Sequence, residues 1–129
     1  MYIIHQIHNV NIVEGLPSAA VLAGLTAAEQ TRQIAIQELI STEETYLADM
    51  SVVVEVFQQP MSQSGVVTLD DVDTIFLNWK DLILCNNSFV RALRIRLKMS
   101  QQGVVQTIGD ILADYVRSRW RLRDVNVRM

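Results

Sequence analysis

One cysteine, Cys85, stands among 129 residues. A lone thiol excludes an internal disulfide framework and suits a reducing compartment. It reads as a small apolar filler. Two prolines and five glycines exclude a collagen-like or loop-rich chain. Gly15, Gly24, Gly65, Gly103 and Gly109 are scattered, so no phosphate-cradling loop forms from them. Aromatic residues make up only 6% of the chain. Apart from Trp120, between Arg119 and Arg121, none interleaves the basic residues as a reader of single-stranded nucleic acid requires, so no nucleic-acid partner is expected. The two histidines, His5 and His8, have no further His or Cys at ligand spacing, which excludes a metal site. No Ser/His/Asp or Cys/His set is credible, so there are no catalytic residues and no cofactor. The acid pairs Glu43-Glu44 and Asp70-Asp71 are sequence neighbours, which point apart on a helix. The chain is therefore not an enzyme in the covalent sense. The apolar run Tyr2–Val13 is stopped by Glu14 well short of a membrane span, and no basic region precedes it.

What is present is an all-α pattern. Half the residues are apolar, enough for a real core in one domain. Charge is divided unevenly: residues 1–73 carry ten acids and one base, residues 74–129 four acids and ten bases. The halves attract, favouring an acidic helix packed antiparallel on a basic one. Helix polarity explains much of this, with Asp70, Asp71 and Asp73 opening a helix and Arg91, Arg94, Arg96 and Lys98 closing it.

Thr26-Ala27-Ala28-Glu29 is a capping box, so a long helix starts at Ala27 and runs to about Gln58, where Pro60 stops it. Its stripe is Ile36, Leu39/Ile40, Tyr46/Leu47, Met50, Val53/Val54 and Phe57. Val52-Val53-Val54 has mediocre helix propensity and needs tertiary packing. Glu43 takes one place on the stripe. A carboxylate there is paired with a nearby Arg, reaches water, or is retained for a partner. Met61–Val67 reads as a polar connection. Thr68-Leu69-Asp70-Asp71 caps a second helix with Val72, Ile75/Phe76, Trp79, Leu82/Ile83, Asn86, Phe89/Val90 and Leu93 on its stripe. Trp79 reads as a core anchor with its indole N–H bonded, and Asn86 as a buried amide bonding across to another helix. Asn86-Asn87-Ser88 matches a glycosylation sequon but lies inside this helix. Met99–Gly103 breaks the pattern, Val104–Tyr115 reads as a shorter helix, and an Arg-rich stretch follows.

The run Glu38-Leu39-Ile40-Ser41-Thr42-Glu43-Glu44-Thr45-Tyr46-Leu47-Ala48-Asp49-Met50 resembles the first conserved region of Dbl-homology (RhoGEF) domains, E-L-x-x-T-E-x-x-Y-x-x-D-L, departing only at Met50. The resemblance continues through Glu55–Pro60, Ile75–Ile83, Cys85-Asn86 and Ala92–Arg96, and fades after Ile108–Leu112. Within the family it is nearest to members that are endocytic scaffolds.

The resemblance implies an all-α fold: long antiparallel helices of an incomplete Dbl-homology helical bundle. Residues 1–25 are expected to be a divergent N-terminal segment, 26–112 the N-terminal portion of the domain, and 113–129 an Arg-rich divergent tail. It further implies a guanine-nucleotide exchange factor for a Rho-family, Cdc42-like small GTPase. Glu43 matches the family glutamate that accepts hydrogen bonds from the first switch of the GTPase; Thr42 and Tyr46 match neighbouring positions of packing and orientation. Nothing here matches the later region that binds the second switch through lysine and asparagine. A truncated, weak or inactive module is therefore expected, or alternatively a non-catalytic fragment that binds a GTPase or scaffold partner. Self-association through an exposed apolar face, endocytic scaffold partners, a cytoplasmic location and only indirect membrane association complete these expectations.

Overall fold

The computed structural model describes residues 15–127; side chains are described through Leu122. The divergent segment expected over residues 1–25 is thus seen only from Gly15, and His5 and His8 lie outside the described residues. The described elements are helices α1 (Ala19–Ala23), α2 (Ala27–Val53), α3 (Gln59–Ser64), α4 (Leu69–Phe76), α5 (Trp79–Met99) and α6 (Gly109–Val127). A π-helical turn, Val54–Gln58, joins α2 to α3, and a 3₁₀ turn, Gln101–Gly103, follows α5. The all-α expectation holds, with no strand among the described residues.

α5 is the middle helix. α2 packs antiparallel on one side and α6 antiparallel on the other. The register is read from cross-helix pairs: Met50 with Trp79 and Glu43 with Asn86 between α2 and α5, Phe89 with Tyr115 and Arg96 with Asp110 between α5 and α6. The shared core is Ile36, Ile40, Phe89, Leu93, Leu97, Val105 and Ile111, with Leu39, Ile108, Leu112 and Tyr115 packed against it. Each such side chain contributes about 1.5–3 kcal/mol on burial. That outweighs the few tenths lost at each β-branched residue of α2.

Three helix boundaries differ from the sequence reading. Pro60 does not stop the first helix: it sits in the first turn of α3, and the helix ends at Gly65, whose φ of 68° is left-handed. The π-turn makes this possible. A proline inside a regular helix loses a backbone bond and clashes with the preceding turn, whereas the widened turn restarts the helix with Pro60 near its N-terminus, where no intrahelical donor is required. The widening begins at the weak Val52-Val53-Val54 triplet. There the Val54 amide bonds the Ser51 carbonyl, and the Met50 carbonyl accepts the Trp79 indole N–H at 2.9 Å.

The second expected helix is divided into α4 and α5 by Leu77, at φ 43° and ψ −123°. A left-handed φ at a leucine costs on the order of 1–3 kcal/mol. The bend re-aims the chain so that Trp79, in the first turn of α5, reaches Met50. Thr68 and Asp71 form the expected capping box of α4 in full. At Thr26 only half of one forms. Its hydroxyl accepts from the Glu29 amide at 3.3 Å, but the Glu29 carboxylate turns instead to Arg32 and Gln33.

The third helix starts at Gly109 rather than Val104 and runs unbroken past Tyr115 into the Arg-rich stretch. Residues 104–108 stay out of the helix, with backbone groups of Val105 and Thr107 taken by side chains. Gln33, 1% exposed, accepts the Val105 N–H at 3.0 Å and donates to the Val105 carbonyl at 2.8 Å. The same carbonyl accepts from Arg32 at 2.6 Å. Arg96 donates to the Thr107 carbonyl at 2.6 Å and clamps Asp110. Gly103, at φ 77°, lies so close to the chain at Gly15–Pro17 that a Cβ would come within 2.4 Å of the Gly15 carbonyl oxygen.

Two outcomes follow from this staple. Gln33→Ala leaves the Val105 N–H buried and unpartnered, at about 1–3 kcal/mol, while the Val105 carbonyl keeps its bond from Arg32. Chemical denaturation of the variant is expected to show a loss in that range, with the Val105 amide among the first to exchange. Acid is the second lever. The Arg32 guanidinium and the Gln33 amide hold the Glu29 carboxyl down from 4.5 to about 2. A depressed carboxyl contributes stability above its unfolded value and loses it as the pH falls through the folded one. The stability difference between the wild type and Glu29→Gln should therefore shrink between pH 4.5 and about 2, as read from denaturation midpoints across that window.

Candidate functional site

Glu38 to Met50 occupies the middle of α2, and its residues divide by face. Ile40 and Met50 are buried, while Glu38, Thr42, Thr45 and Asp49 are exposed. Thr42 turns its hydroxyl back onto the Glu38 carbonyl at 2.7 Å, so its polar atom is engaged within its own helix. Tyr46 is 39% exposed. It stands one turn beyond Thr42 and Glu43 on the same side of the helix.

Glu43 lies half-buried on the seam between α2 and α5. Among the described residues it does not pair with an arginine. The arginine of this region, Arg94, grips the neighbouring Glu44 with both ends of its guanidinium, its second nitrogen at 2.6 Å. Adjacent carboxylates on one helix point apart, so α5 meets them with different residues. Asn86, fully buried, donates from Nδ2 to Glu43 Oε2 at 2.7 Å. Tyr115 then donates its hydroxyl to Asn86 Oδ1 at 2.9 Å. The two polar residues that interrupt the stripes of α2 and α5 therefore meet each other, and α6 closes the chain. No hydrogen bond is made to Glu43 Oε1 among the described residues.

Tyr115 is fixed by its ring. It stacks on Phe89 with centroids 4.0 Å apart and planes 11° from parallel, and the Arg119 guanidinium lies 5.8 Å from its centroid. Burial pushes the Tyr115 phenol up, Arg119 opposes this, and the Glu43 charge adds to the rise. The hydroxyl thus stays a donor at neutral pH. Sequence reasoning placed Tyr115 on the α6 stripe but missed its polar role; a tyrosine in place of an aliphatic residue was the available signal. Trp79, expected as an anchor, is only partly buried, and its indole meets a backbone carbonyl as described.

Behind this network a groove of about 490 Å³ opens between α5 and α6, lined by Leu84, Cys85, Phe89, Ile111 and Tyr115 among others. Burial pushes the Cys85 thiol up, which makes it a poor nucleophile. Among the described residues, no cluster of three or more His, Cys, Asp and Glu could hold a metal ion, and no helix is long and apolar enough to cross a membrane.

A family model for the RhoGEF domain matches residues 35–121. The chain belongs to the RhoGEF domain family. Its match spans α2 through most of α6 and includes all three residues of the polar chain. The domain is similar to intersectin-1 of Mus musculus, 49% identical over 90 residues, covering 69% of this chain and 5% of that protein. Intersectin-1 of Homo sapiens gives the same identity and coverage. Rho guanine nucleotide exchange factor 12 of Mus musculus is 30% identical over 97 residues, 75% of this chain and 6% of that protein. The RhoGEF chain thus spans a small fraction of the length of these curated relatives.

Replacing the middle of the chain tests its energetic weight. Asn86→Ala strands the Glu43 carboxylate and the Tyr115 hydroxyl together. Unpartnered buried groups cost about 1–3 kcal/mol each, more for a charge. The expected result is a loss of at least about 2 kcal/mol in urea denaturation. A loss indistinguishable from that of an exposed control, such as Asn87→Ala, would show the three groups to be adequately solvated.

Proposed function

We propose that this chain is a guanine-nucleotide exchange-factor module for a Rho-family small GTPase of the Cdc42-like kind. The observation that carries this reading is the state of Glu43. One carboxylate oxygen is held by Asn86 and the other has no partner among the described residues. A carboxylate held at one oxygen is an acceptor ready for the donors of a switch segment. Charge-assisted bonds of this kind are about twice as strong as neutral ones. Thr42 and Tyr46 flank it: Thr42 shapes the helix surface with its hydroxyl turned inward, and Tyr46 adds an exposed aromatic face.

The work done is binding, not covalent chemistry. A module that grips the nucleotide-free GTPase more tightly than the loaded one shifts the population toward release, by no more than that difference in affinity. The family region that engages the second switch through lysine and asparagine has no counterpart in these residues. Exchange by this chain alone is accordingly weak, and binding is the more sensitive readout. The same absence supports a second reading, a fragment that binds the GTPase without releasing its nucleotide. Endocytic scaffold proteins as further partners belong to this proposal, as does a cytoplasmic location with recruitment to the plasma membrane or endocytic sites. So does self-association through exposed apolar residues such as Val56, Phe57 and Leu84.

Capture of a nucleotide-free Rho-family GTPase, combined with release of fluorescent GDP, separates these readings. Glu43→Ala should weaken capture about tenfold or more, the worth of a hydrogen bond to a charged group. Capture without release selects the non-catalytic reading. Capture that survives Glu43→Ala unchanged removes the carboxylate from the interface.

A further inference from the structure

We propose that Asn86 and Tyr115 are positioning residues that preset the Glu43 carboxylate for its GTPase partner. This deepens the exchange-factor reading and rests on it. Asn86 is fully buried, so it cannot touch a docked protein, and any effect it has on binding passes through a neighbour. That neighbour is Glu43, at 2.7 Å.

The chain has one possible direction. An ionised carboxylate only accepts, so Asn86 must present its N–H₂ to Glu43 and its carbonyl away from it. A buried amide can rotate to exchange those two groups, and something must hold it the right way round. The Tyr115 hydroxyl does so by donating to Oδ1 at 2.9 Å. It is held in turn by the ring stack on Phe89. Three helices thus converge on one oxygen of one carboxylate. A glutamate on an open helix surface has three rotatable bonds, and fixing a long side chain costs up to about 2 kcal/mol. Prior ordering removes that cost from the binding step.

A double-mutant cycle on nucleotide-free Rho-family GTPase binding tests the idea. Tyr115→Phe keeps the stack and removes only the hydroxyl, and circular dichroism verifies that its helix content is retained. It should weaken binding about three- to tenfold, the range for one hydrogen bond. In a Glu43→Ala background the same change should have no further effect, because there is no carboxylate left to orient. Equal losses in both backgrounds, or no loss in the Glu43 background, would overturn the positioning role and leave the exchange-factor reading standing. If Glu43→Ala alone changes nothing, the carboxylate lies outside the interface and the positioning role is overturned with it.

Discussion

A carboxylate on an apolar seam is the constraint around which the three long helices are arranged. Unpaired, it would have to escape to water and part α2 from α5. Asn86 answers it without supplying a second charge, and Tyr115 answers Asn86 without supplying a first. The result is a polar chain with one net charge, open at one end among the described residues. A salt bridge in the same place would have been closed at both ends. The domain contains that alternative one residue away, where Arg94 takes both oxygens of Glu44. The two neighbouring acids are therefore engaged differently: Glu44 ties α2 to α5 through Arg94, and Glu43 has one oxygen bonded to Asn86 and the other without a partner among the described residues.

The rest of the fold repeats one device, a side chain that satisfies a backbone group displaced from regular structure. One turn before the π-turn, the Met50 carbonyl accepts the Trp79 indole N–H. The non-helical stretch before α6 has no strand beside it among the described residues, and Gln33 and Arg96 serve as its neighbours. These contacts join residues far apart in sequence. They fix the ends of the helices, while the Ile, Leu and Val stripes fix the faces.

The division explains what could be read from the sequence. Stripes and caps are local, so the all-α class, the start of α2 at Ala27 and the cap of α4 at Thr68 were legible. The motif around Glu43 was legible as a family resemblance, and Asn86 as a buried amide bonding across to a neighbouring helix. The breaks were not. Pro60 reads as a stop unless the turn before it is known to widen. Nothing in the residues around Leu77 advertises a left-handed φ, because the pull comes from Met50, far back in the chain. Val104–Ile108 has helical spacing, and its engagement with Gln33, Arg32 and Arg96 keeps it out of the helix. Gln33 itself stands one turn before Ile36 on the same stripe, a third polar interruption. Like Glu43 and Asn86, it marks a place where the seam does something other than pack.

Gln33 also shows how narrow such a solution is. Its amide offers a hydrogen and a lone pair side by side in one plane, matching the two backbone atoms of Val105. Glutamate has the same shape but, when ionised, would set oxygen against the carbonyl; methionine fills a similar volume and speaks to neither group. Slow hydrolysis of that single amide to an acid would invert half of the match without altering its outline. A chemical change of one mass unit, buried and invisible in silhouette, would then unfasten the stretch that leads into the last helix.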